Sequence, residues 1–163
     1  PYQALIKSVI YQQLHPKAAN AILGKFLKLF NDSFPTANKI FEKKDQLKEC
    51  GLSKNKYQSI LDIAWYQKNQ LIPSYKNLHD MKNENIIEML TAIKGIGKWT
   101  AEMFLIFHLG RIDIIPSSDL ALRNRYRTLK SLEGDISPKN FASAAELWSP
   151  FRSMAAWYLW KAA

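Results

Sequence analysis

Leu90-x-x-Ile93-Lys94-Gly95-Ile96-Gly97-Lys98-Trp99-Thr100-Ala101 decides how this chain is read. A helix with Ile86, Ile87, Leu90 and Ile93 on its inner face, capped by Asn83 or Asn85, runs into it, and a broadly apolar helix from about Lys98 to His108 leaves it. Two glycines one residue apart permit a tight turn with φ > 0. The turn ends at a helix N-terminus, where unpaired N–H groups and the helix dipole favour an anion. Lys94 and Lys98 add positive charge. A bare Gly-x-Gly fits an ordinary corner with glycine as a C-cap; the full string is far more specific.

Outward from this hairpin, apolar spacing stays helical. Tyr2, Ile6, Val9 and Ile10 share one face before Pro16 interrupts. Ala19, Ile22, Leu23, Phe26 and Phe30 form a second stripe, closed by Asn31-Asp32-Ser33. Ser53 is placed to cap a helix that turns Tyr57, Ile60, Leu61 and Ala64 inward. After Pro116, Ser117 or Ser118 caps a helix running towards Leu132. Two shorter helices follow over Pro138–Trp148 and Pro150–Ala162, with proline suited to each first turn. Ile112-Asp113-Ile114-Ile115 is too short to found a sheet, so the fold class is all-α.

The chain has 163 residues and a formal charge of +9, enough length for one domain or two small lobes, and a balance that favours a polyanionic partner. Cys50 is the sole cysteine. That excludes a disulfide framework, a four-cysteine zinc site and an iron–sulfur cluster within these residues, and no metal site is expected from side chains. No apolar run approaches the ~20 residues of a membrane helix, and no signal-peptide pattern opens the sequence.

Further segments join the hairpin string in one pattern. Asp113-x-x-Pro116-x-x-Asp119-x-x-Leu122-Arg123 follows it; Ile10-Tyr11-Gln12-Gln13-Leu14 with Lys17-Ala18-Ala19, and Gly51-Leu52-Ser53-x-x-Lys56, precede it; Trp148-x-Pro150-x-Arg152-Ser153-x-Ala155 with Leu159-Trp160 closes the chain. Together they resemble the helix-hairpin-helix (HhH-GPD) superfamily of DNA glycosylases, and within it the 3-methyladenine glycosylase II, or alkylbase glycosylase, type. The resemblance implies one glycosylase domain over 1–163: a two-lobed helical fold, with lobes contributed by both termini and the middle and the hairpin at a central cleft. The β-rich N-terminal domain of some relatives is not expected here.

The same resemblance implies roles. Gly95, Ile96, Gly97 and Lys98, helped by Thr100, would grip DNA phosphates. Asp119 would be the catalytic carboxylate. Taken locally, Asp119 is also an acid suited to a helix N-terminus, worth about 0.3–1 kcal/mol. Both readings share one root, since a helix start favours the charged carboxylate and a charged carboxylate suits an oxocarbenium-like sugar. Asp113, the nearest rival, reads as structural. Relatives that also cut the backbone carry a lysine nucleophile where Trp99 stands, and an indole cannot form a Schiff base. Trp160, with Trp99 in support, would wall a base pocket, and Met103 stands where some relatives place a tyrosine. Trp148 and Trp157 read as core. Leu14, beside Gln13, would be the wedge that fills the gap left by a flipped base, or else a buried helix-end leucine. Arg123, Arg125 and Arg127 alternate about 200° apart on a helix and cannot all face one strand; Arg152 pairs with a carboxylate or contacts backbone.

The expected function is hydrolysis of the N-glycosidic bond of alkylated purines in duplex DNA by a monofunctional, monomeric, intracellular, DNA-associated enzyme. No organic cofactor is implied, although the resemblance allows a monovalent cation at the hairpin carbonyls. The alternatives are a glycosylase for oxidised or mispaired bases and a non-catalytic hairpin module that only holds DNA.

Overall fold

The computed structural model describes residues 1–161. All regular structure among them is helical, in agreement with the all-α expectation: ten α-helices and two 3-10 turns. The chain divides into two compact units, Pro1–Ala101 and Glu102–Ala163.

The first unit contains α1 (Tyr2–Tyr11), α2 (Pro16–Leu29), α3 (Ala37–Glu42), a 3-10 turn at Gln46–Cys50, α4 (Lys54–Lys68), α5 (Tyr75–Asp80), α6 (Asn83–Thr91) and the start of α7 (Lys98–Phe107). Its centre is the packing of α4 against α1 and α3. Leu5, Ile6, Val9 and Ile10 of α1 and Ile60, Ile63 and Ala64 of α4 are fully buried, each large aliphatic side chain contributing about 1.5–3 kcal/mol. Thr36, Ser53 and Ser74 cap α3, α4 and α5 by accepting the N–H groups of Lys39, Lys56 and Asn77. Ser53 therefore caps as expected. The start of α6 differs: its N-cap is Lys82, and Asn83 is already its first helical residue. Neither asparagine lies far enough upstream to cap it. The short helices α3 and α5, six residues each, carry too few turns to show a periodic stripe and are additions to the sequence reading.

The second unit contains the rest of α7, α8 (Leu120–Leu129), α9 (Pro138–Ala145), a 3-10 turn at Glu146–Trp148 and α10 (Arg152–Lys161). Leu122, Phe141, Ala156 and Leu159 form its core, with Ile115, Tyr126, Ile136, Trp148 and Trp160 packed around them. Trp148 sits edge-on to Tyr126 and Phe141, as a core residue should. Trp157 does not: it is 45% exposed, with the Lys161 ammonium over its ring. α10 opens at Arg152, two residues after Pro150, and the expected end of that helix at Ala162 lies outside the described residues. α8 stops at Leu129 instead of Leu132, and Ser131 just beyond it adopts a left-handed φ of 50°.

A polar clasp joins the loop after α7 to α10. Arg152 Nε and Nη2 donate to the two oxygens of Asp113 at 2.6 and 3.0 Å, and Ser149 Oγ donates to Asp113 Oδ2 at 3.0 Å. Next to it, Ser153 Oγ donates to Arg111 O at 2.7 Å and accepts the Ile114 N–H at 2.9 Å. Asp113 is thus structural, and Arg152 is its partner. The arginines of α8 separate as helix geometry demands. Arg123 donates to Ile136 O at 2.8 Å, Arg127 to Gly134 O at 3.3 Å, and Arg125 is exposed.

The hydrogen bond from Arg152 holds the Asp113 carboxyl below the usual carboxylate range. A carboxyl lowered in the folded state stabilises the fold above its unfolded pKa of about 4, and that contribution disappears as pH falls through the folded value. Asp113→Asn should therefore lower stability at pH 7 by about 1.5–3 kcal/mol, the scale of charge-assisted bonds. Its thermal melting curve should converge on the parent's as the pH is brought towards ~2.

Candidate active site

The hairpin is a turn held from outside. Ile93 and Ile96 are buried, and Ile96 N–H closes the turn on Ile93 O at 3.1 Å. α4 supplies the support through side chains on one face. Asp62 Oδ2 accepts the Lys94 N–H at 2.7 Å, and Tyr66 Oη donates to Ala92 O at 3.3 Å. Ser59, buried and donating to Asn55 O at 2.9 Å, lies directly under Gly95. From α1, Gln12 Nε2 donates to both Gly95 O and Thr100 Oγ1, each at 3.1 Å.

The two glycines have different jobs. Gly95 has φ +82°, and a Cβ there would overlap Ser59 Oγ, so both backbone and space demand glycine. Gly97 has no such φ, and a Cβ on it would meet nothing within 4 Å. It leaves the approach to the first turn of α7 clear. Around it lies a groove of about 410 Å³ whose walls include Gln12, Gln13, Lys56, Gly95, Trp99 and Thr100. Trp99 is 42% exposed, Lys98 is exposed and Thr100 is buried. Five of the residues named from sequence, Gln13, Gly95, Gly97, Trp99 and Thr100, are therefore gathered on one groove.

Leu14 stands on the α1–α2 loop, 37% exposed. This excludes the reading of it as a core leucine. The loop is pinned at both ends. Lys56 Nζ donates to Ile10 O at 2.7 Å in the last turn of α1, and His15 Nδ1 accepts the Lys17 N–H at 3.3 Å to cap α2. Gln13 between them takes a left-handed φ of 55°. Burial pushes the Lys56 ammonium below the ordinary lysine value.

In the second unit, Asp119 is itself the N-cap of α8, in place of Ser117 or Ser118. Its Oδ1 accepts the Leu122 N–H at 3.0 Å, and its own N–H bonds Pro116 O at 2.9 Å. The Pro116 turn consumes the two serines, so the helix begins one residue later than they could cap. Leu122, which bonds Asp119, belongs to the same apolar cluster as Trp160. The Trp160 indole is half-buried, 5.9 Å from the Phe107 ring. Met103 is half-buried on α7, one helical turn beyond Trp99.

Asp62, Ser59 and Tyr66 are additions to the sequence reading. Their signal was present: polar groups at spacings of three and four along a helix otherwise read only for its apolar face. Among the described residues no group of three or more His, Cys, Asp or Glu side chains is placed to hold a metal ion. No helix of the described residues is long and apolar enough to cross a membrane.

Residues 6–150 match the sequence model of the HhH-GPD superfamily base excision DNA repair proteins. The chain belongs to that superfamily and, within it, to the 3-methyladenine glycosylase type. It is 44% identical over 163 residues to DNA-3-methyladenine glycosylase 1 of Schizosaccharomyces pombe, covering 99% of this chain and 72% of that protein. A solved structure of the S. pombe 3-methyladenine DNA glycosylase in complex with abasic DNA superimposes with a TM-score of 0.87 at 44% identity, over 99% of this chain and 79% of that one. The crystal structure of a DNA-3-methyladenine glycosidase from Bacillus halodurans gives 0.88 at 35% identity, over 99% and 75%.

The contrast between the glycines is directly measurable. Gly95→Ala should cost about 1–3 kcal/mol through strain and overlap. Gly97→Ala should leave stability unchanged or raise it by up to ~1 kcal/mol, because it only narrows the unfolded ensemble. Urea melts of the two variants beside the parent decide it.

Proposed function

We propose that this chain hydrolyses the N-glycosidic bond of alkylated purines of the 3-methyladenine and 7-methylguanine class in duplex DNA, releasing the base and leaving an abasic site for base excision repair. The observation that carries the proposal is the likeness to 3-methyladenine glycosylases over 99% of this chain. The partner is duplex DNA containing the damaged base, and the enzyme works as a monomer.

The geometry supports a division of labour. The open first turn of α7, with Gly97 bare and Lys98 exposed, suits a phosphate oxygen: backbone N–H groups and the helix dipole stabilise an anion without a side chain in the way. Leu14 on its pinned loop would fill the stack as the nucleotide leaves. Resemblance alone gives Trp99, Met103 and Trp160 to the walls of the base pocket. An indole face suits a cationic methylpurine through stacking and a cation–π attraction of about 0.5–2 kcal/mol. Such a base is already a good leaving group, so the demand on the protein is to stabilise the sugar. Asp119, fixed by the Leu122 N–H, would set its negative charge against the developing oxocarbenium, worth several kcal/mol in a water-poor site. Water then attacks the sugar carbon.

Resemblance alone suggests a monovalent cation at the hairpin carbonyls. Such an ion would add positive charge beside the phosphate.

Asp119→Asn keeps an oxygen for the Leu122 N–H, and asparagine caps as well as aspartate. Its melting temperature should stay within a few degrees of the parent's and its duplex affinity should persist. Release of free methylpurine, followed by mass spectrometry, should fall by about 10²–10³-fold. Unchanged release would remove Asp119 from the mechanism; a parent protein that binds duplex yet frees no base from methylated DNA would make this a holding module. Because Trp99 offers no amine, borohydride added during turnover should trap no protein–DNA adduct on a denaturing gel.

A further inference from the structure

We propose that Gln12 is a positioning residue that couples the phosphate-gripping hairpin to the base-stack wedge, so that capture of the strand and filling of the stack act as one unit. The inference rests on the glycosylase reading above and adds a residue to it. Gln12 is the C-cap of α1 and immediately precedes Gln13 and Leu14. Its main chain is fixed by N–H bonds to Ser8 O and Val9 O, while its side chain spends amide hydrogens on Gly95 O and Thr100 Oγ1. One residue therefore ties three things together: the end of α1 from which the Leu14 loop departs, the turn of the hairpin, and the first turn of α7.

The link is directional in its chemistry. The Gly95 carbonyl and the Ile96 N–H share one rigid peptide plane. Holding that oxygen towards α1 fixes the plane at the residue where φ is +82°. Thr100 Oγ1 accepts from Gln12, which leaves its hydroxyl proton to be donated elsewhere. On the other side, Lys56 holds Ile10 O and His15 caps α2, so the loop between is short and pinned. A displacement of the hairpin on binding a phosphate is passed to Leu14 through Gln12 and not dissipated in a flexible linker.

The test is a double-mutant cycle on base release under single-turnover conditions. The substrate is an oligonucleotide with one 7-methylguanine, either fully paired or in a bulge that leaves no stack to fill. Gln12→Ala should slow release from paired duplex about tenfold, the scale of two lost neutral hydrogen bonds. The loss should be much smaller on the bulge. The double variant Gln12→Ala/Leu14→Ala should be no slower than the slower single variant. Gln12→Met, which keeps the length and lacks the donors, should reproduce Gln12→Ala. Multiplicative effects of the two substitutions, or equal losses on both substrates, overturn the coupling. So does a collapse of thermal stability in both Gln12 variants, which would make Gln12 a residue of the fold alone. If the parent releases no base from either substrate, the glycosylase reading fails first.

Discussion

The first unit depends on satisfying the backbone of a turn that cannot satisfy itself. Between α6 and α7 the chain reverses, and polar atoms of the turn take partners from elsewhere. α4 provides them with a charged acceptor at Lys94 N–H, a phenol at Ala92 O and a small side chain under Gly95. Ser59 fills the space below Gly95 and turns its hydroxyl to Asn55 O of its own helix. The aliphatic packing of α4 on α1 gives this platform its rigidity. The anion site proposed for this backbone is only as well placed as the frame that carries it.

The second unit solves a related problem with charge. The stretch 111–119 carries no regular structure, yet side-chain bonds hold it in place. Asp113 and Arg152 close a bidentate pair across it, and Ser153 stitches Arg111 O and Ile114 N–H to the start of α10. These bonds consume the polar groups that make loops mobile. The two aspartates of the segment are thereby distinguished by their partners: Asp113 is tied to a guanidinium, and Asp119 to a helix N-terminus.

Much of this was legible from residues, and the reasons for the exceptions are physical. Long amphipathic helices announce themselves by repetition, so α1, α2, α4 and α7 could be read directly. α3 and α5 span fewer than two turns and offer no repetition to detect. Two serines precede the aspartate and suit the cap of α8 equally well; the Pro116 turn decides for Asp119, and a turn's hydrogen bond is not visible in composition. Tryptophan is usually a core residue, whereas α10 turns Trp157 outward with Lys161 over its face. The side chains that brace the hairpin were hidden for another reason. They act on main-chain atoms of a segment some thirty or eighty residues away, and main-chain atoms carry no residue-specific signature.

The cap formed by Asp119 constrains how this lineage can change. The oxygen that begins α8 must sit on a short stem, because the N–H it meets is only three residues ahead. Glutamate, one methylene longer, is poorly made for that station, so the helix start itself favours the shorter acid over the longer one. Asparagine, serine and threonine would preserve the helix while discarding the charge. On the role proposed for Asp119, a descendant that abandoned chemistry but kept its shape would carry one of those three here, and the history of the activity would be written in a single capping position.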